Sequence, residues 1–183
     1  MKKTILITGG TGFVGANLTR KLVQEGYKPI LLIRRNSNIW RLNDIKDKII
    51  FVESDILNKP RLERDILKIK PNLIYNLVVY GTVISKQRSI EEAMKVNIIG
   101  TMNLLEVSRR AACEYFINTG SSTEYGRITQ TAKETDALNP STFYGASKAA
   151  ATLLVQEYAK SYNIPVVILR LFSPYGYYDK SSI

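Results

Sequence analysis

The chain contains no histidine and a single cysteine in 183 residues. Without imidazole, the usual zinc sites and Ser-His-Asp triads are excluded. A lone Cys113 excludes an intrachain disulfide and any CxxC motif, which fits a reducing cytosol. Long apolar runs are missing as well, so nothing reads as a membrane span, and Lys2-Lys3 precedes only Thr4 and three apolar residues, too few for a signal peptide. The expectation is a cytoplasmic protein with no membrane partner and no metal. Its acid–base chemistry is then confined to Tyr, Lys, Ser and carboxylates.

Acidic charge is also scarce: 16 Asp and Glu stand against 26 Lys and Arg, a formal net charge of +10. Such an excess raises nucleic acid as a partner. Basic residues nevertheless run no longer than pairs, as at Lys2-Lys3, Arg34-Arg35 and Arg109-Arg110, and no aromatic-and-basic motif stands out. A solvated surface or a polyanionic small ligand fits better, and no nucleic acid is expected. With 45% hydrophobic and 23% charged residues, the chain can bury one substantial core.

Apolar runs alternate with helical patterns. Strands are expected at Thr4–Thr8, Pro29–Ile33, Ile49–Glu53, Leu73–Val78, Tyr115–Asn118 and Val166–Leu171. Helices are expected at Phe13–Glu25, Pro60–Lys70, Ile90–Ala112 and Phe143–Tyr162, with a weaker helix or irregular turn around Asn38–Lys46. Strand and helix in repetition imply right-handed crossovers and an α/β doubly wound parallel sheet. Such sheets bind ligands beyond the carboxyl ends of their strands.

The first strand end carries Thr8-Gly9-Gly10-Thr11-Gly12-Phe13-Val14-Gly15. Glycine there permits unusual backbone angles, close approach of main chain to a phosphate, and tight helix–strand packing. The helix start adds unpaired N–H groups for a pyrophosphate. The spacing Gly9-x-x-Gly12-x-x-Gly15 also suits an ordinary tight turn, and the strand and helix around it favour the dinucleotide reading. The second strand ends in Arg34-Arg35-Asn36-Ser37, where an NAD enzyme usually places an acid on the ribose 2′-hydroxyl. A guanidinium instead matches a 2′-phosphate in charge and fork geometry, so NADP is expected, with NAD the alternative; a solvated Arg pair is the bland reading. After the third strand, Asp55 is either an acceptor for the adenine amino group or a turn cap.

Tyr144-Gly145-Ala146-Ser147-Lys148 opens the last helix. A Tyr-x-x-x-Lys pair arises about once by chance in a chain of this composition, so its position carries the information. Spacing of i,i+4 puts both side chains on one face. A phenol near pKa ~10 needs roughly 4 kcal/mol of help to reach about 7, the scale of one ammonium about 4 Å away in a partly shielded site. Tyr144 then exchanges a proton with a substrate oxygen. The loop Thr119-Gly120-Ser121-Ser122-Thr123-Glu124-Tyr125-Gly126 is dense in hydroxyls; it is a polar loop, or it offers Ser121 as a second donor to the reacting oxygen. Asn97, on an otherwise apolar helical face, is a satisfied core amide or part of a water relay to Lys148.

Together these residues resemble the extended short-chain dehydrogenase/reductase family, in particular its nucleotide-sugar epimerases, dehydratases and 4-ketoreductases. The resemblance covers essentially the whole chain: Thr8-Gly9-x-x-Gly12-x-x-Gly15, Asp55-Ile56, Asn97-x-x-Gly100-Thr101, Ser121 to Gly126, Tyr144-x-x-x-Lys148 and Arg170-x-x-Ser173-x-Tyr175-Gly176. It implies a Rossmann fold, with Tyr144 as acid–base residue. Lys148 would hold the nicotinamide ribose and depress the Tyr144 pKa, Ser121 would orient the substrate oxygen, and Asn97 would support the Lys148 environment. The glycine loop with Thr11, Phe13 and Val14, then Arg34, Asp55, Ile56, Leu77, Val78, Val79 and Phe172, would line the cofactor. Ser121, Ser122 and Ser173 would meet the substrate.

Four departures from the pattern matter. Asn76-Leu77-Val78-Val79 stands where the family often has His-Leu-Ala-Ala. Sugar 4,6-dehydratases carry an Asp-Glu or Ser-Glu pair directly after the catalytic hydroxyl residue; here those positions are Ser122 and Thr123, with Glu124 one place late, which disfavours dehydration unless the loop shifts register. Ser173 replaces a frequent Asn. Relatives continue past the last motif into a smaller substrate domain, so residues 1–183 are expected to be an NAD(P)-binding domain without that partner domain. Its hydroxyl-rich loop and its tail, with Tyr175, Tyr177 and Tyr178, are then exposed and favour a homo-oligomer. The resulting expectation is NADP-dependent reduction of a nucleotide 4-ketosugar; a 4-epimerase with retained NAD and a non-catalytic dinucleotide-binding module are the alternatives.

Overall fold

A computed structural model describes residues 2–81 and 89–179. Strands β1 (Ile5–Thr8), β2 (Ile30–Ile33), β3 (Ile50–Glu53), β4 (Leu73–Asn76), β5 (Tyr115–Ser121) and β6 (Val166–Leu171) form one sheet in the order β3-β2-β1-β4-β5-β6. Every pairing is parallel. Among the described residues, five α-helices cover its faces: α1 (Phe13–Gln24), α2 (Lys59–Ile69), α3 (Ile90–Met94), α4 (Gly100–Arg110) and α5 (Phe143–Tyr162). This is the doubly wound Rossmann arrangement that the alternating pattern predicts.

Burial follows strand position. All four residues of the central β1 are buried, whereas the edge strands β3 and β6 are only partly so. A strand's side chains alternate between faces, and β1 divides accordingly. Leu6 joins Ile74, Leu104, Phe116 and Val155 in one core, while Ile5 and Ile7 join Ala16, Leu31 and Leu42 in the other. Phe116 is wholly enclosed, and its truncation to Ala is worth about 3–5 kcal/mol. The α2 start follows its sequence signals: the Asn58 side chain accepts the Arg61 N–H, and Pro60 occupies the first turn.

Two elements differ most from the sequence pattern, and β4 stops at Asn76, short of the expected Val78. The single helix expected over Ile90–Ala112 is α3 and α4 joined by a π-helical turn at Lys95–Ile99. The wider turn carries Asn97 into the interior, where it is 1% exposed. Strand β5 runs beyond Asn118 to Ser121, because Thr119, Gly120 and Ser121 pair with Leu169, Arg170 and Leu171 of β6. The weak pattern near Asn38–Lys46 is a 3-10 segment, Trp40–Lys48. No helix among the described residues is long and apolar enough to cross a membrane.

Strand order reverses between β1 and β4, and the crevice at that reversal, outside the carboxyl ends, is where the predicted site residues gather.

Candidate active site

The floor of the crevice is the glycine turn. Gly9 has φ +71°, and a Cβ there would meet the Leu77 main chain at 2.6 Å. A Cβ on Gly15 would strike the main chain of Gly9 and Gly10, so α1 starts hard against β1. The Gly12 N–H donates to the Gly9 carbonyl at 3.0 Å. Gly12 caps α1 without a side-chain hydrogen bond, and the first turn holds no acidic residue. Its unpaired N–H groups and positive dipole end therefore face an open space suited to a pyrophosphate.

That space is a trough in two connected parts. One, of about 570 Å³, is lined by Gly9, Gly12, Phe13, Val14, Gly15, Thr119 to Thr123, Tyr144, Lys148 and Ser173. The other, of about 430 Å³, is lined by Thr11, Arg34, Ser37, Ser54, Asp55, Ile56 and Val78. Gly9, Gly12, Leu77 and Val79 border both, so an elongated molecule can lie across the glycine turn with one end at Tyr144 and the other at Arg34. The shape, the missing Cβ atoms and the bare helix start all fit a dinucleotide.

At the first end, Thr142 caps α5 by accepting the Gly145 N–H at 3.0 Å, which sets Tyr144 and Lys148 in its first two turns. Lys148 is 3% exposed and its Nζ donates to the Thr119 carbonyl. Burial pushes its ammonium down to about 8, against the opposing charge of Glu124. The Tyr144 phenol is pushed above its ordinary value by burial; a hydrogen bond with Ser121 lowers it, and the Glu124 charge raises it further. The expected lowering toward about 7 is therefore not found here. Desolvation dominates. Ser121 itself accepts the Thr123 N–H at 3.2 Å and shares a hydrogen bond with the Thr123 hydroxyl at 2.8 Å.

Asn97 stands behind the trough. Its Oδ1 accepts the Tyr80 N–H at 2.9 Å, and its Nδ2 donates to the Tyr80 carbonyl at 3.0 Å and to Ser147 Oγ at 2.9 Å. Ser147 in turn donates to the Tyr144 carbonyl at 2.7 Å. The amide thus ties the segment after β4 to the first turn of α5. Of the two sequence readings, these contacts fit the satisfied amide.

Glu124 has a structural role that sequence reasoning missed. It is fully buried, accepts the Ser121 N–H at 2.7 Å and pairs with the Arg170 guanidinium at 3.2 Å. Arg170 also donates to the Tyr125 hydroxyl at 2.7 Å. The available signal was the Ser121-x-x-Glu124 spacing, which forms a capping box around the 3-10 turn Ser122–Glu124. Thr119 was also missed as the Lys148 acceptor; a main-chain carbonyl leaves no trace in residue type.

At the other end, Asp55 Oδ1 accepts the Leu57 N–H at 2.8 Å, as a turn cap would, while the residue still lines the trough. Arg34 is exposed there, with its N–H donated to Ser37 Oγ at 2.9 Å. Phe172 is the expected cofactor residue that the fold does not bring in. It lies 6.2 Å from the Tyr125 ring, on a separate hollow beside β6, while its neighbours Leu171 and Ser173 line the trough. The tail also differs in part from expectation. Tyr175 and Tyr177 are 92% and 88% exposed, but Tyr178 packs 4.4 Å from the Arg20 guanidinium, and Arg41 ties the Tyr178 carbonyl at 2.8 Å and the Thr11 carbonyl at 3.3 Å.

A family model described as the NAD dependent epimerase/dehydratase family matches residues 5–182. The chain is 33% identical to a dTDP-D-glucose 4,6-dehydratase of Dictyostelium discoideum over 94% of its own length and 44% of the relative's. Among solved structures, it is similar to a dTDP-glucose 4,6-dehydratase of Bacillus anthracis in complex with NAD, with 28% identity, TM-score 0.85, and coverage of 100% of this chain and 58% of that one. It is also similar to a UDP-glucose 4-epimerase of Thermotoga maritima with UDP-glucose, with 28% identity, TM-score 0.82, and coverage of 91% and 54%. The chain spans about half the length of the relatives it matches.

Proposed function

We propose, from the premise that the chain belongs to the NAD dependent epimerase/dehydratase family, that it forms the cofactor-binding and acid–base part of an NADP-dependent nucleotide-sugar oxidoreductase that reduces a 4-ketosugar. The observation that carries this reading is the single trough onto which the glycine turn, Arg34, Ser121, Tyr144 and Lys148 all open. When bound, the nicotinamide supplies the hydride to the sugar carbon. The residues supply the rest. The α1 start holds the pyrophosphate, and Arg34 matches a 2′-phosphate where it cannot accept a 2′-hydroxyl. Ser121 orients the keto oxygen, and Tyr144 gives its phenolic proton to that oxygen as negative charge develops there.

A phenol, ordinarily near pKa ~10, is protonated at neutral pH as a proton donor must be, and burial holds Tyr144 so. Dehydration lacks its acids: Ser122 and Thr123 stand at the loop positions, and Glu124 is committed to Arg170. A 4-epimerase with retained NAD is the second reading, favoured by the likeness to the Thermotoga maritima epimerase. Incubating the full-length gene product with a panel of nucleotide 4-ketosugars and NADPH separates the two. Stoichiometric loss of NADPH with a reduced sugar supports the reductase; epimerised 4-hydroxysugars with a tightly retained cofactor and no NADPH consumption overturn it.

A further inference from the structure

Beyond Arg34, the far end of the trough opens into a cavity of about 490 Å³ bordered by Arg34, Arg35, Glu53, Ser54, Asp55 and Arg61. Arg61 sits in the first turn of α2, whose cap residue Asn58 also lines the cavity and whose first turn holds no acidic residue. Its guanidinium lies 3.5 Å from Glu53, and its buried Nε lies 3.7 Å from the buried Asp65 Oδ2, neither of these two atoms making a hydrogen bond. Ser54 is 4% exposed, and its Oγ is likewise buried without a partner while the residue borders both this cavity and the trough. Unmet hydrogen-bonding groups of this kind are costly in a folded protein unless something satisfies them. Lining charges of Arg34, Arg35 and Arg61 against Glu53 and Asp55 leave the cavity positive by one.

We propose that this cavity seats a ribose 2′-phosphomonoester, with Arg61 of α2 facing Arg34 as a second specificity-determining guanidinium and Ser54 as a hydroxyl donor. The inference rests on the NADP reading above and adds to it the residues that would make the choice. Arg61 exchanges its loose contact with Glu53 for a forked pair with the phosphate, which a planar guanidinium makes well. Glu53 keeps the arginine in place when the site is empty, and it competes with the phosphate. The positive end of α2 adds to the attraction.

The test is calorimetric titration of the protein with NADP, NAD, 2′,5′-ADP, 5′-ADP and inorganic phosphate. Arg61→Leu is expected to weaken NADP and 2′,5′-ADP at least tenfold while NAD and 5′-ADP change less than twofold, which also controls for folding. Glu53→Gln should tighten NADP severalfold, and Ser54→Ala should weaken it about threefold. In the parent, 2′,5′-ADP should bind far better than inorganic phosphate, since the phosphate is delivered by the ribose. If the parent prefers NADP and Arg34→Leu abolishes that preference while Arg61→Leu leaves it intact, this inference is overturned and the cofactor reading stands. If the parent binds NADP and NAD alike, the cofactor reading itself has failed.

Discussion

Glu124 and Arg170 form an ion pair directly beneath Ser121, with one Glu124 oxygen on the Ser121 N–H and the other on the guanidinium. Glu124 is fully buried and Arg170 nearly so, with 11% of its side chain exposed. A pair in that setting is strongly destabilising to break, because the partner is left charged and desolvated.

Glu124→Gln is therefore expected to destabilise the fold by about 3–5 kcal/mol, and to disorder the Ser121 turn. Urea unfolding of parent and variant measures it. A variant as stable as the parent would show that the carboxylate is not the anchor of this loop.

In a full-length protein, Tyr144→Phe should lower turnover by roughly 10² to 10⁴, the contribution of general acid catalysis. Cofactor affinity should stay within twofold, since the phenol acts at the substrate oxygen. Unchanged turnover removes Tyr144 from the chemistry.

Arg34→Asp should reverse a preference for NADP over NAD of at least tenfold, about 1.4 kcal/mol. An acid at that position accepts the ribose 2′-hydroxyl bond and repels a 2′-phosphate. Dissociation constants for both dinucleotides in both proteins decide the matter.

Lys148 makes a pH prediction. Its pKa falls from 10.5 unfolded to about 8 folded, so between those values the unfolded chain binds the extra proton. Stability linked to this residue consequently rises with pH across that window, by about 3 kcal/mol. Below pH 8 the penalty of the buried charge is fully present. Lys148→Met removes the titration, so the parent should gain on the variant between pH 8 and 10.5 in denaturant melts. A constant gap contradicts the buried, titrating lysine.

Gly15→Ala should abolish cofactor binding before it unfolds the protein, because its methyl meets the Gly9 and Gly10 main chain and pushes α1 off the turn. Circular dichroism alongside cofactor titration tests this; undiminished binding would mean the turn has room to spare.

The sequence alone determined the sheet and most of the trough. Runs such as Ile5-Leu6-Ile7 are buried on both faces in the interior of a parallel sheet, and the glycines, Arg34 and Tyr144 lie just after strands or at a helix start, where chain order dictates their place. Local spacing sufficed there. The tertiary structure alone decided the rest. Asn97 meets Ser147 across 50 positions, Glu124 meets Arg170 across 46, and Arg61 reaches the cavity beside Arg34 only because β2 and β3 pair in register. Phe172 stays outside on the hollow beside β6, although Leu171 and Ser173 on either side of it line the trough. Such contacts depend on crossovers that bring distant segments together. The shifts at Tyr144 and Lys148 depend on burial, which a residue's spacing along the chain does not specify.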